Sequence, residues 1–510
     1  MSKTGVVYLI GAGPGDRGLI TIKGKELLQK ANVIVYDYLV NTDLLEYAQD
    51  NAEILYVGKK AGQKEMTQSS INALLIRKAK KGNIVARLKG GDPFTFGRGG
   101  EEAEALQAKK IPFEIVPGVS SVSAVPAYGG ISLTHRDFTS SFAVVTGHEY
   151  PSKAESNIPW DALSQIGTVV FLMGVKKLKQ NMRELMKAGK SPVTPVAVIT
   201  WGTYPQQRTL TGTIENISDL VSKDKEISSP GIVVVGEVVK LREIINWYES
   251  KPLFGKTIIV TRPKSQAPEF IKLLEEQGAQ VIAFPTIEIR NPSSYNALDK
   301  AINRIEKYDW IIFTSVNGVT SFFNRLRELG KDIRELHRAK IAAIGGVTAQ
   351  EIENLGIKVD IVPDDYKAEG LIKLFKKNNI EESKILIPRA KVARDILPDS
   401  LAKIGANVDV VTAYVTRRPG KAKTKDIIRL LSENKIDMLT FTSSSTAQNF
   451  FELISGFKQS KGRPLIASIG PITAKTVKEA GYKSTIIPKK YTVEYLANEI
   501  VDYFTKKKLK

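Results

Sequence analysis

Two glycine-rich stretches hold the backbone best able to do chemistry in this chain: Gly11-Ala12-Gly13-Pro14-Gly15-Asp16, and the run Gly90-Gly91-Asp92 that continues to Gly100. Glycine carries no Cβ, so backbone N–H groups in such loops can close on a ligand. The first stretch follows the apolar run VVYLI, and VIVYD later ends in Asp37. That is the outline of a dinucleotide-binding unit, with Asp37 on a ribose. The outline fails at its third glycine, where this chain has Asp16. A side chain there obstructs close helix–strand packing, and a carboxylate would face a pyrophosphate. Taken alone, the first loop reads more readily as a structural turn than as a dinucleotide site. Cysteine is absent, which excludes disulfides, thiolate nucleophiles and cysteine-held metal clusters. The three histidines, His135, His148 and His337, have no metal-ligand spacing, so a metal-free protein is expected.

These residues need strands to present them. VVYLIGAG, ANVIVYD, NIVARLKGGD, IPFEIVPG, FAVVTGH, TVVFLMG and PVAVITWG read as buried strands, and TIKGKELLQK and SINALLIRKAKK supply helical periodicity between them. The alternation predicts an α/β fold of mostly parallel sheets covered by helices. At 510 residues the chain exceeds one ordinary core. IVVVGEVV, the helical LREIINWYES and then KPLFGKTIIVTRP, with Pro252 and Gly255 as punctuation, predict a linker at 246–255.

The second half repeats itself. DWIIFTSVNGVTSFFNRL (309–326) echoes DMLTFTSSSTAQNFFELI (437–454), an offset of 128. IAAIGGVTAQEIENLGIK (341–358) echoes IASIGPITAKTVKEAGYK (466–483), an offset of 125, and YKAEGLIKLF (366–375) echoes YTVEYLANEI by the same amount. IIVTRPKSQ echoes ILIPRAKVA with an offset of 127. Four elements in one order mean two copies of one α/β unit, and two lobes with a cleft where ligands commonly sit.

The net charge of +20 suits nucleic acid, a small polyanion steered into a basic cleft, or a merely solvated surface. The lysine clusters 176–179 and 506–510 are not interleaved with aromatic residues as a base-stacking platform would be. The N-terminus has no secretion-signal pattern and no stretch reads as a membrane span, so a cytoplasmic protein is expected.

GAGPGD (11–16), VIVYDYLV (33–40), GKK (58–60), RLKGGDPFTFGRGGEE (87–102), PGVSSVSAVPAYGGISLTHRDF (117–138), TGHE (146–149), FLMG (171–174) and AVITWGTYPQQR (197–208) follow one another in a fixed order. Together they resemble the uroporphyrinogen-III C-methyltransferases of the tetrapyrrole methylase family, over residues 1–245, with subdomains of about 1–116 and 117–245. The resemblance implies S-adenosylmethionine as cofactor. Its contacts would be Pro14, Gly90, Gly91, Asp92, Thr95, Ser120, Ser121, Met173 and Gly202. Asp92 would accept from the ammonium of the methionine moiety, the serine hydroxyls would bind its carboxylate, and Met173 would wall the adenine. Many relatives carry alanine at 121. Asp37 would be the proton acceptor and Lys59 the proton donor, although Asp37 also fits a strand-end helix cap and Lys59 a solvated lysine. Arg87, His135 and Arg136 are candidates for substrate carboxylates, which the planar arginine fork binds well. A homodimer through this half is also implied.

GKTIIVTRPKSQA, IIFTSVNGV, IAAIGGVTA, FTSSSTAQNF, ASIGPITAKTVKEAG and TVEYLANE resemble uroporphyrinogen-III synthase over 256–510. That family closes hydroxymethylbilane with inversion of the last ring and uses no cofactor. The resemblance implies interleaved lobes, one of 256–288 with 418–510 and the other of 290–415. Thr314, Ser315, Ser443, Ser444, Gly470 and Thr473, at strand-to-helix turns, would bind carboxylates or would simply cap helices. Tyr414 matches a family tyrosine suspected of helping the hydroxyl leave. The joint reading is a bifunctional enzyme that makes uroporphyrinogen III and methylates it at C-2 and C-7 to precorrin-2. Such a chain needs neither nucleic acid nor a membrane as partner. The alternatives are a methyltransferase of another corrin intermediate whose synthase half is inactive or a scaffold, and a basic nucleic-acid-binding protein of two α/β modules. No segment matches the dehydrogenase–ferrochelatase module of siroheme synthases.

Overall fold

The computed structural model describes residues 4–58, 66–147, 157–263, 266–363, 368–377, 380–393, 395–418, 421–455 and 464–508. The first sheet contains β1 (Val6–Gly11), β2 (Val33–Tyr36), β3 (Glu53–Tyr56), β4 (Ile84–Lys89) and β5 (Phe113–Val116) in the order β3-β2-β4-β1-β5. Its pairings are all parallel. Successive side chains of a strand point to opposite faces. Val7, Leu9, Val33, Val35 and Val85 therefore enter one core, while Ile10, Ile34, Ala86 and Leu88 enter another. Helices over both faces explain why these strands read as unbroken apolar runs.

The second sheet contains β6 (Phe142–Thr146), β7 (Thr168–Leu172), β8 (Pro195–Thr200), β9 (Arg208–Thr213) and β10 (Gly231–Val235) in the order β6-β7-β10-β8-β9. Only β6 and β7 pair in parallel; β10 runs antiparallel to β7 and β8, and β9 antiparallel to β8. Expecting mostly parallel sheets is right for the first sheet and wrong for this one. A short β8–β9 connection needs no crossover helix, and the threonine-rich edge strand β9 has no apolar run to betray it.

The second half contains β11 (Thr257–Val260), β12 (Gln280–Ala283), β13 (Glu288–Arg290), β14 (Trp310–Phe313), β15 (Lys340–Ala343), β16 (Lys384–Ala390), β17 (Asn407–Arg417), β18 (Met438–Phe441) and β19 (Leu465–Ser468). They form two sheets, β12-β11-β18-β19 and β13-β17-β16-β14-β15. The sequence repeat is visible in three dimensions. The bridge Ala342–Ile361 recurs as Ala467–Ile486, at the sequence offset of 125. The aromatic trio Phe313–Phe322–Phe323 recurs as Phe441–Phe450–Phe451, and Phe313–Phe322 and Phe441–Phe450 both have ring centroids 5.5 Å apart. Each copy thus builds its own core from the same positions.

Contacts divide the chain into two compact units, 1–257 with 274–280 and 501–510, and 258–273 with 281–500. Residues 246–255, expected as a linker, are instead built into the first unit. Tyr248 is buried and donates to the Thr203 carbonyl at 3.1 Å, and the Trp247 indole donates to the Ala127 carbonyl at 2.9 Å. Glu249 accepts from Gln207 at 2.9 Å and from Thr209 at 2.6 Å, and pairs with Arg242. Two tryptophan and tyrosine rings and a carboxylate with three donors make a packed strap out of a segment whose Pro252 and Gly255 suggest a tether.

Candidate active sites

Parallel strands end together, so their loops share one edge. Asp37 follows β2, Gly90 follows β4, and Ala12 and Gly13 follow β1. The two glycine loops bond to each other: the Gly91 N–H donates to the Gly13 carbonyl at 2.7 Å, and the Gly13 N–H returns to the Gly91 carbonyl at 3.2 Å. A Cβ on Gly118 would lie 2.4 Å from the Gly91 carbonyl oxygen, and one on Gly11 would lie 2.5 Å from Gly118 Cα. Three loops therefore meet backbone to backbone. Gly91, at φ +69°, differs, because the nearest atom to a Cβ there would be Ser121 N at 3.7 Å. A side chain there would make an ordinary contact and no clash, so this side of the loop, facing the N-terminus of the helix Ser121–Tyr128, is the least crowded of the three.

Asp92 fixes this loop. One oxygen accepts from Phe94 N at 2.9 Å and Thr95 Oγ1 at 3.1 Å, and the other from Gly118 N at 3.0 Å. The second oxygen keeps a lone pair for a ligand cation. Ser120 caps the helix, accepting from Val122 N at 3.3 Å. Pro14 lies in the bend between Gly13 and Gly15. From the second sheet come Met173, half-exposed at φ +56°, and Gly202, flanked by Trp201 at φ +48° and Thr203 at φ +69°. Left-handed non-glycine residues cluster where function over-determines the backbone. The two loop sets touch, because Asp16 N donates to Thr203 Oγ1 at 3.0 Å and the Tyr128 hydroxyl donates to Asp16 at 2.7 Å. Burial, then that bond to Asp16, pushes the Tyr128 phenol well up, so it stays a donor. Asp16, which spoils the dinucleotide pattern, is thus a fixed structural acceptor.

Arg87, predicted to meet substrate carboxylates, is instead 3% exposed, and each of its three guanidinium nitrogens already donates within the protein. Nε donates to Glu102 Oε1 at 3.1 Å, Nη1 to the Leu88 carbonyl at 3.1 Å, and Nη2 to Asp37 Oδ2 at 3.1 Å. A strand interior facing two carboxylates leaves no fork for a substrate. Lys89, also buried, donates to the same Glu102 oxygen at 2.9 Å. Burial, then the neighbouring Arg87 charge, lowers the Lys89 pKa. The sequence signal for Lys89 and Glu102 is slight: two cations, Arg87 and Lys89, alternate along one face of an otherwise apolar strand, and Glu101 and Glu102 follow twelve and thirteen residues after Lys89. His135 and Arg136 lie on a turn closed by the His135–Thr139 bridge, where His135 Nδ1 accepts from Asp137 N at 3.2 Å. Among the described residues no hydrogen bond or ion pair joins them to Asp37. Lys59 lies outside the described residues. Tyr38, Leu39, Phe94 and Phe96, within four residues after Asp37 or Asp92, are exposed apolar side chains that the sequence motifs do not single out.

In the second unit, Ser315 and Tyr414 meet. Ser315 caps the helix Val316–Glu328, accepting from Gly318 N at 3.1 Å, and its hydroxyl lies 3.1 Å from the Tyr414 hydroxyl. Ser443 caps the helix Ser444–Leu453 in a capping box with Thr446, and Gly470 caps the helix Pro471–Glu479. Thr314 and Ser444 sit half-buried beside those caps. Thr473 is 4% exposed, so it is core rather than a carboxylate donor: two residues into its helix, its side chain turns inward. An open cavity of about 840 Å³ lies where β13 pairs with β17, lined by Arg290, Asn291, Arg417, Arg418 and Lys423, with Glu288 as its acid. Among the described residues no group of acids and histidines could hold a metal, and no helix is long and apolar enough to cross a membrane.

Comparison with known proteins divides at the same place. The tetrapyrrole (corrin/porphyrin) methylase family matches residues 6–218, and the uroporphyrinogen-III synthase HemD family matches 268–498. A porphyrin biosynthesis protein HemD of Ruminiclostridium josui is 37% identical over 97% of this chain and 95% of its own length. A uroporphyrinogen-III C-methyltransferase of Bacillus subtilis is 42% identical over 72% of this chain and 75% of its own. An S-adenosyl-L-methionine-dependent uroporphyrinogen III methyltransferase of Methanosarcina barkeri is 52% identical over 47% of this chain and 94% of its own.

Proposed function

We propose an activity from this premise: the chain belongs to the porphyrin biosynthesis family that joins a tetrapyrrole methylase to a HemD-type uroporphyrinogen-III synthase. It converts hydroxymethylbilane to uroporphyrinogen III and methylates that product at C-2 and C-7, using two S-adenosylmethionine, to give precorrin-2. The observation that carries the reading is the convergence of Gly13, Gly91, Asp92 and Asp37 on one edge of one parallel sheet.

The residues present fit S-adenosylmethionine. The uncrowded side of Gly91 suits a ligand against backbone, the second oxygen of Asp92 suits an ammonium, and the helix capped by Ser120 suits a carboxylate. Bound there, the cofactor supplies an electrophilic methyl group. The chain supplies the rest. Asp37 presents a carboxylate held through Oδ2 by Arg87, with Leu39 N on Oδ1 at 3.3 Å, as the acceptor for the proton that the methylated ring gives up. Tyr38, Leu39, Phe94 and Phe96 offer apolar surface to a flat macrocycle. In the second unit the Tyr414 hydroxyl, positioned by Ser315, donates to the leaving hydroxyl, and capped helix N-termini take the carboxylates. The family reading also implies a cytoplasmic homodimer without a nucleic-acid partner.

Purified protein given hydroxymethylbilane and S-adenosylmethionine should accumulate the absorbance of the dimethylated product. Activity on uroporphyrinogen III but none on hydroxymethylbilane removes the synthase assignment alone. Inactivity on both removes the whole reading.

A further inference from the structure

Beneath Asp37 lies a group of buried charges, Arg87, Lys89 and Glu102. Glu102 is completely buried in the first turn of the helix Gly99–Ala108, and it gathers its donors on one oxygen. Oε1 accepts from Arg87 Nε, from Lys89 Nζ and from Gln68 Nε2 at 3.2 Å, while Oε2 has no partner among the described residues. A buried carboxylate left half-satisfied is costly, so the arrangement is there for what Oε1 holds. What it holds is Arg87. Strand register sets Arg87 opposite Val35 of β2 and Leu9 of β1, so its guanidinium lies under the loop that begins at Asp37. With Nε on Glu102 and Nη1 on the Leu88 carbonyl, only Nη2 remains, and it meets Asp37 Oδ2. The Asp37 side chain is 28% exposed, Arg87 3% and Glu102 fully enclosed, so the chain of contacts runs from the site inward.

We propose that Glu102 is a positioning residue for methyl transfer: it locks the Arg87 guanidinium, which in turn fixes the carboxylate of Asp37 for proton acceptance. The inference rests on the reading of Asp37 as the proton acceptor. A locked donor holds one carboxylate oxygen at a fixed angle, and a reacting group displaced by a fraction of an ångström loses rate without losing substrate. Lys89 shares the Glu102 oxygen and reaches Asp37 only through space, so it balances charge rather than orienting the acid. The buried position of Glu102, with no polar atom at the surface, separates this role from any direct contact with cofactor or substrate.

The test is a double-mutant cycle in the full-length protein, reading methylation of uroporphyrinogen III, S-adenosylmethionine affinity by calorimetry and thermal midpoint. Glu102→Gln keeps shape and one acceptor while weakening the hold on Arg87. It should lower kcat by about 10- to 100-fold, the scale of a slightly misplaced reacting group, with KM and S-adenosylmethionine affinity within about twofold. In an Asp37→Asn background the same change should lower the residual rate by less than about twofold, because a positioning residue has nothing left to position. A wild-type kcat for Glu102→Gln overturns the inference, as does a loss that is equal in both backgrounds or that tracks cofactor affinity. If Glu102→Gln does not fold, Arg87→Lys, which keeps the cation and loses the fork, must show the same non-additivity with Asp37→Asn, and additivity there overturns it equally. If Asp37→Asn alone retains full turnover, the assignment of Asp37 fails instead, and the two failures are distinct.

Discussion

Lys89 exposes what the buried charges of the first site cost. Its amine is pushed below the usual lysine range, first by burial and then by Arg87, with Glu102 working in the other direction. The sign follows from proton counting. Folded Lys89 releases its proton at a lower pH than unfolded Lys89, so between the folded value and 10.5 the unfolded chain binds more protons, and stability rises with pH through that window. Lys89→Met removes this dependence. The wild-type protein should therefore gain stability relative to Lys89→Met as the pH rises from neutral toward 10, read from urea midpoints of the two proteins side by side. A difference that stays flat or moves the other way contradicts a depressed Lys89. The glycines of the same edge separate by what a methyl group would strike. Gly91→Ala makes only an ordinary van der Waals contact, with Ser121 N at 3.7 Å, and is strained mainly by its left-handed backbone, about 1 kcal/mol. Gly118→Ala would drive a Cβ to 2.4 Å from the Gly91 carbonyl, which only backbone movement can relieve. Chemical denaturation should rank Gly118→Ala as clearly the more damaging, and the reverse order would mean that the three loops are not in contact.

At the level of elements, the duplicated unit offers an internal control. Ser315 and Ser443 occupy corresponding positions, and each caps a helix that follows a central strand. Removing either hydroxyl should cost about 1 kcal/mol as a lost N-cap. Ser315 alone also partners Tyr414, which is 8% exposed. Ser315→Ala then leaves a buried phenol unmatched and should cost about 1 kcal/mol more than Ser443→Ala. Adding Tyr414→Phe should remove that excess, and urea unfolding of the three variants checks it; equal costs for the two serines would mean that the Ser315–Tyr414 contact is absent. The same elements show what sequence can carry. The repeat, the apolar strands of the first sheet and the glycine loops are local patterns, so the Gly90-Gly91-Asp92 loop is visible in the sequence, whereas Ser315 comes forward only through the family resemblance. The partnership of Asp37 with Arg87 is not local. It arises because β2 and β4 pair with Val35 beside Arg87, a register that no window of sequence contains. Thr473 misleads for a related reason: the turn that carries it is legible, but which helix face meets the core depends on a neighbour. The strap at 246–255 looks like a tether because Pro252 and Gly255 punctuate it just before a new strand, whereas Tyr248 and Glu249 find partners at Thr203 and Gln207, more than forty residues earlier.

For the molecule as a whole, the +20 charge makes a kinetic statement. Field and net charge act on encounter, not on fold, and raise the local concentration of a polyanion before any specific contact forms. The basic cavity lined by Arg290, Arg417, Arg418 and Lys423 adds a local concentration of the same sign, offset by the pairing of Glu288 with Arg290 at 2.8 Å and by Glu452 on Arg418. Hydroxymethylbilane and uroporphyrinogen III are polycarboxylates, whereas S-adenosylmethionine carries little net charge. Between about 0.05 and 0.5 M salt the screening length falls from about 14 to about 4 Å. The KM for each tetrapyrrole should then rise several-fold while the KM for S-adenosylmethionine stays within about twofold. Steady-state assays over that range, with kcat followed in parallel, decide it. A tetrapyrrole KM indifferent to salt would mean that the cations of this chain are solvated decoration, and that recognition rests wholly on the capped helix ends and the apolar edge beside Asp37.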